Sequence, residues 1–205
     1  MKKVLKFLGL FLLVGGALYV WQVHFNYRFE TISDNRVYKS ALIHPDRLED
    51  FLVDNNIKTV VDLLDPGVQD ALNPAKQAEI NAEDKAINKI NEKYNLNIKH
   101  VNIPSGQVPT KATLTKFFEV LDREESYPIL IHCYHGTGRA QMYSALYRVE
   151  YEQWSNSDAR AKTRVVVEGL GYRSSFSDGK EKGDFLMSYK ARNSGEHSTF
   201  NILDK

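Results

Sequence analysis

The chain has 205 residues, 42% hydrophobic and 26% charged, with a formal net charge of +1. That suffices for one catalytic domain with a packed core, and the charge balance gives no bulk electrostatic ground for binding nucleic acid. A single cysteine, Cys133, excludes an intramolecular disulfide and leaves its thiol open to a chemical role.

Three lysines, Lys2, Lys3 and Lys6, precede an uncharged apolar run from Phe7 to Val23. As a helix that run spans about 25 Å, at the short end for crossing a bilayer. A cleaved secretory signal, with Gly15 and Ala17 before the cut, competes with an uncleaved anchor. The apolar run continues to Val23 past any such cut, and Tyr19 and Trp21 suit a membrane interface, which favours the anchor. The lysines would then stay in the cytoplasm, in a single-pass cell-membrane topology with the rest of the chain outside. After cleavage it would be secreted or periplasmic.

Residues 24–35 read as a polar and aromatic connector. RVYKSAL, from Arg36 to Leu42, alternates and predicts an edge strand. HPDRLEDFLVDNN predicts a short helix with Pro45 in its first turn. IKTVVDLL is a continuous apolar run and predicts a buried strand, followed by the breaker loop DPGVQDALNP. A charged, helix-favouring stretch runs from Ala75 to Tyr94, with Ile80, Ala86, Ile87 and Ile90 as its apolar positions. NIKHVNIP predicts the next strand, SGQVPT a loop, and KATLTKFFEVLDREE an amphipathic helix. YPILIHC is the third core strand and AQMYSALYRVEYEQW the helix after it. Ser155 caps a further helix ended by Gly169, and a last helix lies near Glu181 to Lys190. Strands alternating with helices imply an α/β fold, a mostly parallel sheet flanked by helices.

Between the third strand and its helix lies HCYHGTGRA, from His132 to Ala140. A strand that drops into a glycine-containing loop opening a helix can turn the N–H groups of Tyr134, His135, Gly136, Thr137 and Gly138 inward as an anion nest. The helix N-terminus adds donors, and Arg139 adds a planar fork suited to two phosphate oxygens. In such a cradle a thiolate at Cys133 is favoured, which equips the loop to attack phosphorus.

This loop, Cys-x5-Arg preceded by histidine, resembles the signature of the cysteine-dependent protein tyrosine and dual-specificity phosphatases. From Arg36 to Gly171 the chain looks like the small bacterial dual-specificity-like branch, with RVYKSAL and IKTVVDLL matching its opening strands. The resemblance implies a phosphatase-like catalytic domain over 36–192, between the segment 1–23 with its connector 24–35 and a polar tail 193–205. It implies Cys133 as nucleophile, Arg139 as phosphate clamp, the backbone of residues 134–138 as phosphate binder and His132 as buttress of the loop. No cofactor is implied.

Three positions depart from the family pattern. The loop that usually carries an aspartic general acid is IPSGQVPT, with Ser105, Gly106 and Gln107 and no carboxylate. Ala140 stands where a hydroxyl residue is usual, and Lys39 and Leu64 stand where arginine is common. Asp65, at the end of the second core strand, is the replacement acid we assign, ahead of Asp62, while Asp70 follows in the loop. The competing role of Asp65 is to shape the Asp-Pro-Gly turn. His135 could contact substrate or donate a proton. A metal is not expected at His132, Cys133 and His135, because side chains alternate along a strand and no fourth ligand lies at a usual spacing.

The expected activity is hydrolysis of a phosphate monoester through a phosphocysteine, on a phosphorylated protein or small phosphoester. A membrane-tethered pseudophosphatase that binds without turnover is the alternative that Ser105 and Ala140 favour. Sulfur transfer is a further rival, disfavoured by His132 and the Cys-to-Arg spacing.

Overall fold

The computed structural model describes residues 2–67, 74 and 76–192, with side chains from Phe7 onward. The polar tail 193–205, Asp70 and the side chains of Lys2, Lys3 and Lys6 lie outside the described residues.

Helix α1 (Lys2–Val20) continues through one π-helical turn, Trp21–Phe25. Over Phe7–Phe25 the mean hydropathy is 1.6, and none of it is buried against the rest of the chain. This is one helix long and apolar enough to cross a membrane by length and composition, a test that a signal sequence also passes.

The sheet begins earlier than the sequence suggests. β1 (Glu30–Ser33) lies within the stretch read as a connector and pairs antiparallel with β2 (Val37–Ala41). β2 is therefore an inner strand, buried along its whole length, and the expectation of an edge is corrected. Four residues of mixed polarity, ETIS, carry too little periodicity to be read as a strand unaided. After β2 come α2 (Leu48–Asp54), β3 (Thr59–Asp62), α3 (Gln77–Tyr94), β4 (Lys99–Asn102), α4 (Lys111–Leu121) and β5 (Ile129–Cys133). Four further helices follow: α5 (Arg139–Tyr151), α6 (Asn156–Lys162), α7 (Val165–Gly169) and α8 (Glu181–Ser188). The Ser155 hydroxyl caps α6 by accepting from Asp158 N–H, as expected, but the single predicted helix breaks in two between Lys162 and Val165.

The order β1-β2-β5-β3-β4 puts β5 at the centre, parallel to both of its neighbours. The pleat then sorts the side chains. Ile129, Ile131 and Cys133 face a core shared with Leu114, Phe117, Met142 and Tyr143 of α4 and α5. Leu130 and Val60 face the opposite core, with Leu48 and Leu52 of α2 and Ile87 and Ile90 of α3. α5 lies against the central strand with nearly all its residues buried, which explains why its sequence lacks a clean polar face.

Candidate active site

The loop after β5 is built from outside. Three successive carbonyls are held by groups beyond it. Tyr134 O accepts from Leu42 N–H at 3.3 Å, and His135 O accepts from Arg28 Nη1 at 3.0 Å. Gly136 O accepts from Lys39 Nζ at 3.5 Å, and Lys39 is itself paired with Glu30 at 2.8 Å. In a trans peptide the N–H points away from the carbonyl, so the N–H groups of the following residues, 135–137, turn to the inner side of the loop. The outer ties of this loop, Arg28, Lys39 and Leu42, carry no mark in the sequence.

Gly136 makes the turn possible. It has φ +68°, and a Cβ there would lie 2.6 Å from Ala41 N and 2.7 Å from Ser40 C. The glycine thus lets the loop rest directly on the end of β2.

Cys133 is buried, and its Sγ accepts from Ala140 N–H at 3.5 Å, in the first turn of α5. A thiolate there would be stabilised by the helix N-terminus. Where the family pattern has a hydroxyl side chain, this chain offers the backbone N–H of the same residue. Arg139 is also buried, and its Nη1 donates to Leu63 O at 2.5 Å and Ser105 O at 2.9 Å. Those carbonyls, at the ends of β3 and β4, fix the plane of the guanidinium.

The loop IPSGQVPT closes over the same end of the sheet. The Ser105 hydroxyl is buried 2.9 Å from Tyr143 Oη, so Ser105 is a packing residue. A Cβ on Gly138 would lie 3.5 Å from Gln107 Oε1 and 3.2 Å from Lys182 Nζ. Lys182 comes from α8, far along the chain, and no local pattern announces it. It is brought in by the neighbouring Gly183, whose missing Cβ lets α8 pack on the backbone of Phe176 and Ser177.

Asp65 is not gathered into this site by any contact among the described residues. Its Oδ1 accepts from Gly67 N–H at 3.0 Å, the Asx turn that the Asp-Pro-Gly sequence favours. His135 is exposed on the outer loop, packed edge-on against Tyr134.

His132 and Cys133 diverge to opposite faces of β5, as the strand period requires. His132 Nε2 lies 3.0 Å from Glu83 Oε2 and 3.7 Å from Asp62 Oδ1. Burial alone would push the imidazole down, but Glu83 and Asp62 outweigh it and hold His132 up at about 9. Burial would likewise raise Glu83, but His132 and His100 bring it down to about 2. Asp62 is pushed up by burial, partly offset by His132. Glu83 is thus the residue that carries the negative charge most readily. Sequence reasoning missed Glu83 and His100. Their signals are weak, a carboxylate on the Ile80–Ile87–Ile90 face of a helix and a histidine in an apolar strand.

Residues 26–176 match the family described as DSP-PTPase phosphatase fused to NAD+ kinase. The match spans well over half of the chain, which belongs to the cysteine-dependent dual-specificity phosphatase family. Among solved structures, the core catalytic domain of the PP-IP phosphatase SIW14 from S. cerevisiae is similar at 18% identity. Its TM-score is 0.55, with 79% of this chain and 85% of that chain covered. TpbA of P. aeruginosa is similar at 18% identity and TM-score 0.55, covering 80% and 86%. PTPMT1 is similar at 16% identity and TM-score 0.52, covering 78% and 91%. No curated protein sequence matches at a significant level.

Proposed function

We propose that the chain is a membrane-tethered phosphate monoester hydrolase that works through a phosphocysteine. The observation that carries the reading is the loop itself: three carbonyls tied outward, which leaves the following N–H groups to its inner side, and the Cys133 sulfur at the start of α5. In the first step the Cys133 thiolate forms the S–P bond as the ester oxygen leaves, taking up a proton. In the second step water attacks phosphorus, the S–P bond breaks, phosphate departs and the thiolate is restored. The loop N–H groups and Arg139 stabilise the equatorial oxygens throughout, which is the main demand of phosphoryl transfer.

The proton donor is the weak point of the site, because the Asp65 carboxylate is engaged in its own turn and IPSGQVPT offers none. We therefore read the enzyme as suited to aryl esters such as phosphotyrosine, whose leaving groups need little acid help. A positioned acid contributes about 10²–10⁴-fold when the leaving group is poor. The test is a panel of aryl and alkyl phosphates, with phosphate-analogue binding and thiosulfate-to-cyanide transfer as control arms. We expect turnover of nitrophenyl phosphate, far slower turnover of alkyl phosphates, and the same profile from Asp65→Asn. Analogue binding without turnover would replace the reading by a pseudophosphatase, and a selective loss on alkyl esters in Asp65→Asn would restore Asp65 as the acid.

The tether supports a site at the membrane surface. Phe25 ends the apolar span, and Arg28, three residues on, bonds the loop at His135 O. Three residues reach at most about 10 Å. Tyr19, Gln22 and Val23 line a groove of about 420 Å³ together with Gly136 and Thr137 of the loop. Val165, Val166, Leu170 and Tyr172 are exposed apolar side chains on the segment that includes the groove's far wall. A reporter enzyme fused after Lys205 should be active only in the form that works outside the cytoplasm, and the chain should stay with membranes. A soluble chain beginning near Leu18 would show a cleaved signal instead.

A further inference from the structure

On the face of the sheet opposite Cys133, one donor atom from each of Asp62, Glu83, His100 and His132 lies within 4.8 Å of all the others. The arrangement follows from the pleat and the helix period. Asp62 shares its face with Val60, His132 with Leu130, and His100 is the register partner of Val60. Glu83 projects from the buried side of α3, the side of Ile80, Ile87 and Ile90. Asp62, Glu83 and His132 are each 0–1% exposed, and the His100 side chain is 6% exposed.

From this cluster we infer a binding site for one divalent first-row metal ion, of the zinc class, coordinated by Asp62, Glu83, His100 and His132.

Four features carry the inference. The first is spacing. His132 Nε2–Glu83 Oε2 is 3.0 Å, His100 Nε2–Glu83 Oε2 is 3.2 Å, and the two nitrogens lie 3.7 Å and 3.8 Å from Asp62 oxygens. Ligands at about 2.0–2.1 Å from a tetrahedral ion stand about 3.3 Å from one another, so these four pairs are near that spacing, and the widest pair, within 4.8 Å, would draw in around the ion. The second is direction. By distance the imidazole–carboxylate contacts would be hydrogen bonds, yet Glu83 Oε2, His100 Nε2 and His132 Nε2 lack an aligned partner. Buried polar atoms that converge without aligning are costly unless something lies between them.

The third feature is the surrounding shell. Asp62 Oδ1 accepts from Leu64 N–H at 2.7 Å, and Oδ2 accepts from Asn102 Nδ2 at 2.8 Å, so the carboxylate is held in place. His100 Nδ1 lies 3.4 Å from Asp84 Oδ1. A proton on Nδ1 leaves the Nε2 lone pair facing inward, as a histidine that binds a metal and donates its other N–H to a carboxylate requires. The fourth is charge. Asp62 and Glu83 are both held out of solvent, where an uncompensated carboxylate is costly. One dication held with neutral imidazoles would let both carboxylates carry their charge. An ion here would join β3, β4, β5 and α3 behind the loop, on the side away from the thiol. It would brace His132 and take no part in the phosphocysteine chemistry, so the inference stands apart from the proposed reaction.

The full-length chain, without a histidine tag and in detergent, is stripped with chelator and titrated with Co²⁺. We expect about one equivalent to bind, with the visible ligand-field bands of a four-coordinate nitrogen–oxygen site. The bands should persist in Cys133→Ser and in the surface variant His44→Gln, and be lost in both His100→Gln and Glu83→Gln. No bands in the wild-type chain would overturn the site and leave a metal-free charge cluster. So would bands that survive both ligand variants, or sulfur-to-cobalt absorption that vanishes with Cys133→Ser and shows the ion at the thiol. If a ligand variant loses its helical circular dichroism, the wild-type titration and the Cys133→Ser comparison decide the question.

Discussion

Cys133→Ser is expected to abolish hydrolysis, by on the order of 10⁴-fold or more, while phosphate-analogue binding survives. The sulfur accepts from Ala140 N–H in the first turn of α5. A serine hydroxyl in the same place stays protonated at neutral pH, so the N–H groups that stabilise a thiolate have no anion to stabilise. The cradle is held by Leu42, Arg28 and Lys39, none of which touches the sulfur through those bonds, so the variant should keep the loop. Steady-state hydrolysis of nitrophenyl phosphate and vanadate binding by calorimetry measure the two halves separately. Turnover near wild type in the serine variant would remove Cys133 as nucleophile. Loss of vanadate binding would show that the side chain supports the loop as well.

Arg139→Lys should cost about 10²–10³-fold in kcat, roughly 3–4 kcal/mol of transition-state stabilisation, although the charge is kept. Nη1 of Arg139 is anchored on Leu63 O and Ser105 O, and that anchorage orients the plane of the remaining guanidinium. A lysine ammonium is a point charge and cannot hold two carbonyls while offering a parallel pair of donors to phosphate. The substitution also strips bonds from two buried carbonyls at the ends of β3 and β4. A fall in Tm should therefore accompany the loss of activity, since an unpartnered buried acceptor costs about 1–3 kcal/mol. Kinetics together with a thermal melt check the prediction, and equal kcat in the two proteins would exclude the clamp.

Ala140 shows how far a departure from a family pattern can be judged from sequence. A methyl where a hydroxyl is usual argues for weak turnover. In the folded chain the same residue reaches the sulfur through its backbone N–H, a group every residue but proline supplies. Asp65 shows the opposite case. Its place at the end of β3 suits an acid, yet its Oδ1 accepts from Gly67 N–H two residues on. A local hydrogen bond of this kind is legible in the Asp-Pro-Gly triplet.

Local order decided what the sequence determined by itself. The thiol, the loop and the helix start are contiguous from His132 to Ala140, so spacing alone places the loop between β5 and α5, and period and capping placed the main strands and helices to within a few residues. Pleat parity likewise set His132 and Cys133 on opposite faces. Tertiary structure alone decided which strand stands at the centre, that β1 covers β2, and that Arg28, Lys39 and Lys182 reach the loop. It alone brought Asp62, Glu83, His100 and His132 together from three strands and a helix. The physical reason is range. Periodicity and turn chemistry act over a few residues, whereas a cluster of side chains that are distant in sequence exists only once strand order and register have been chosen by the packing of the whole sheet.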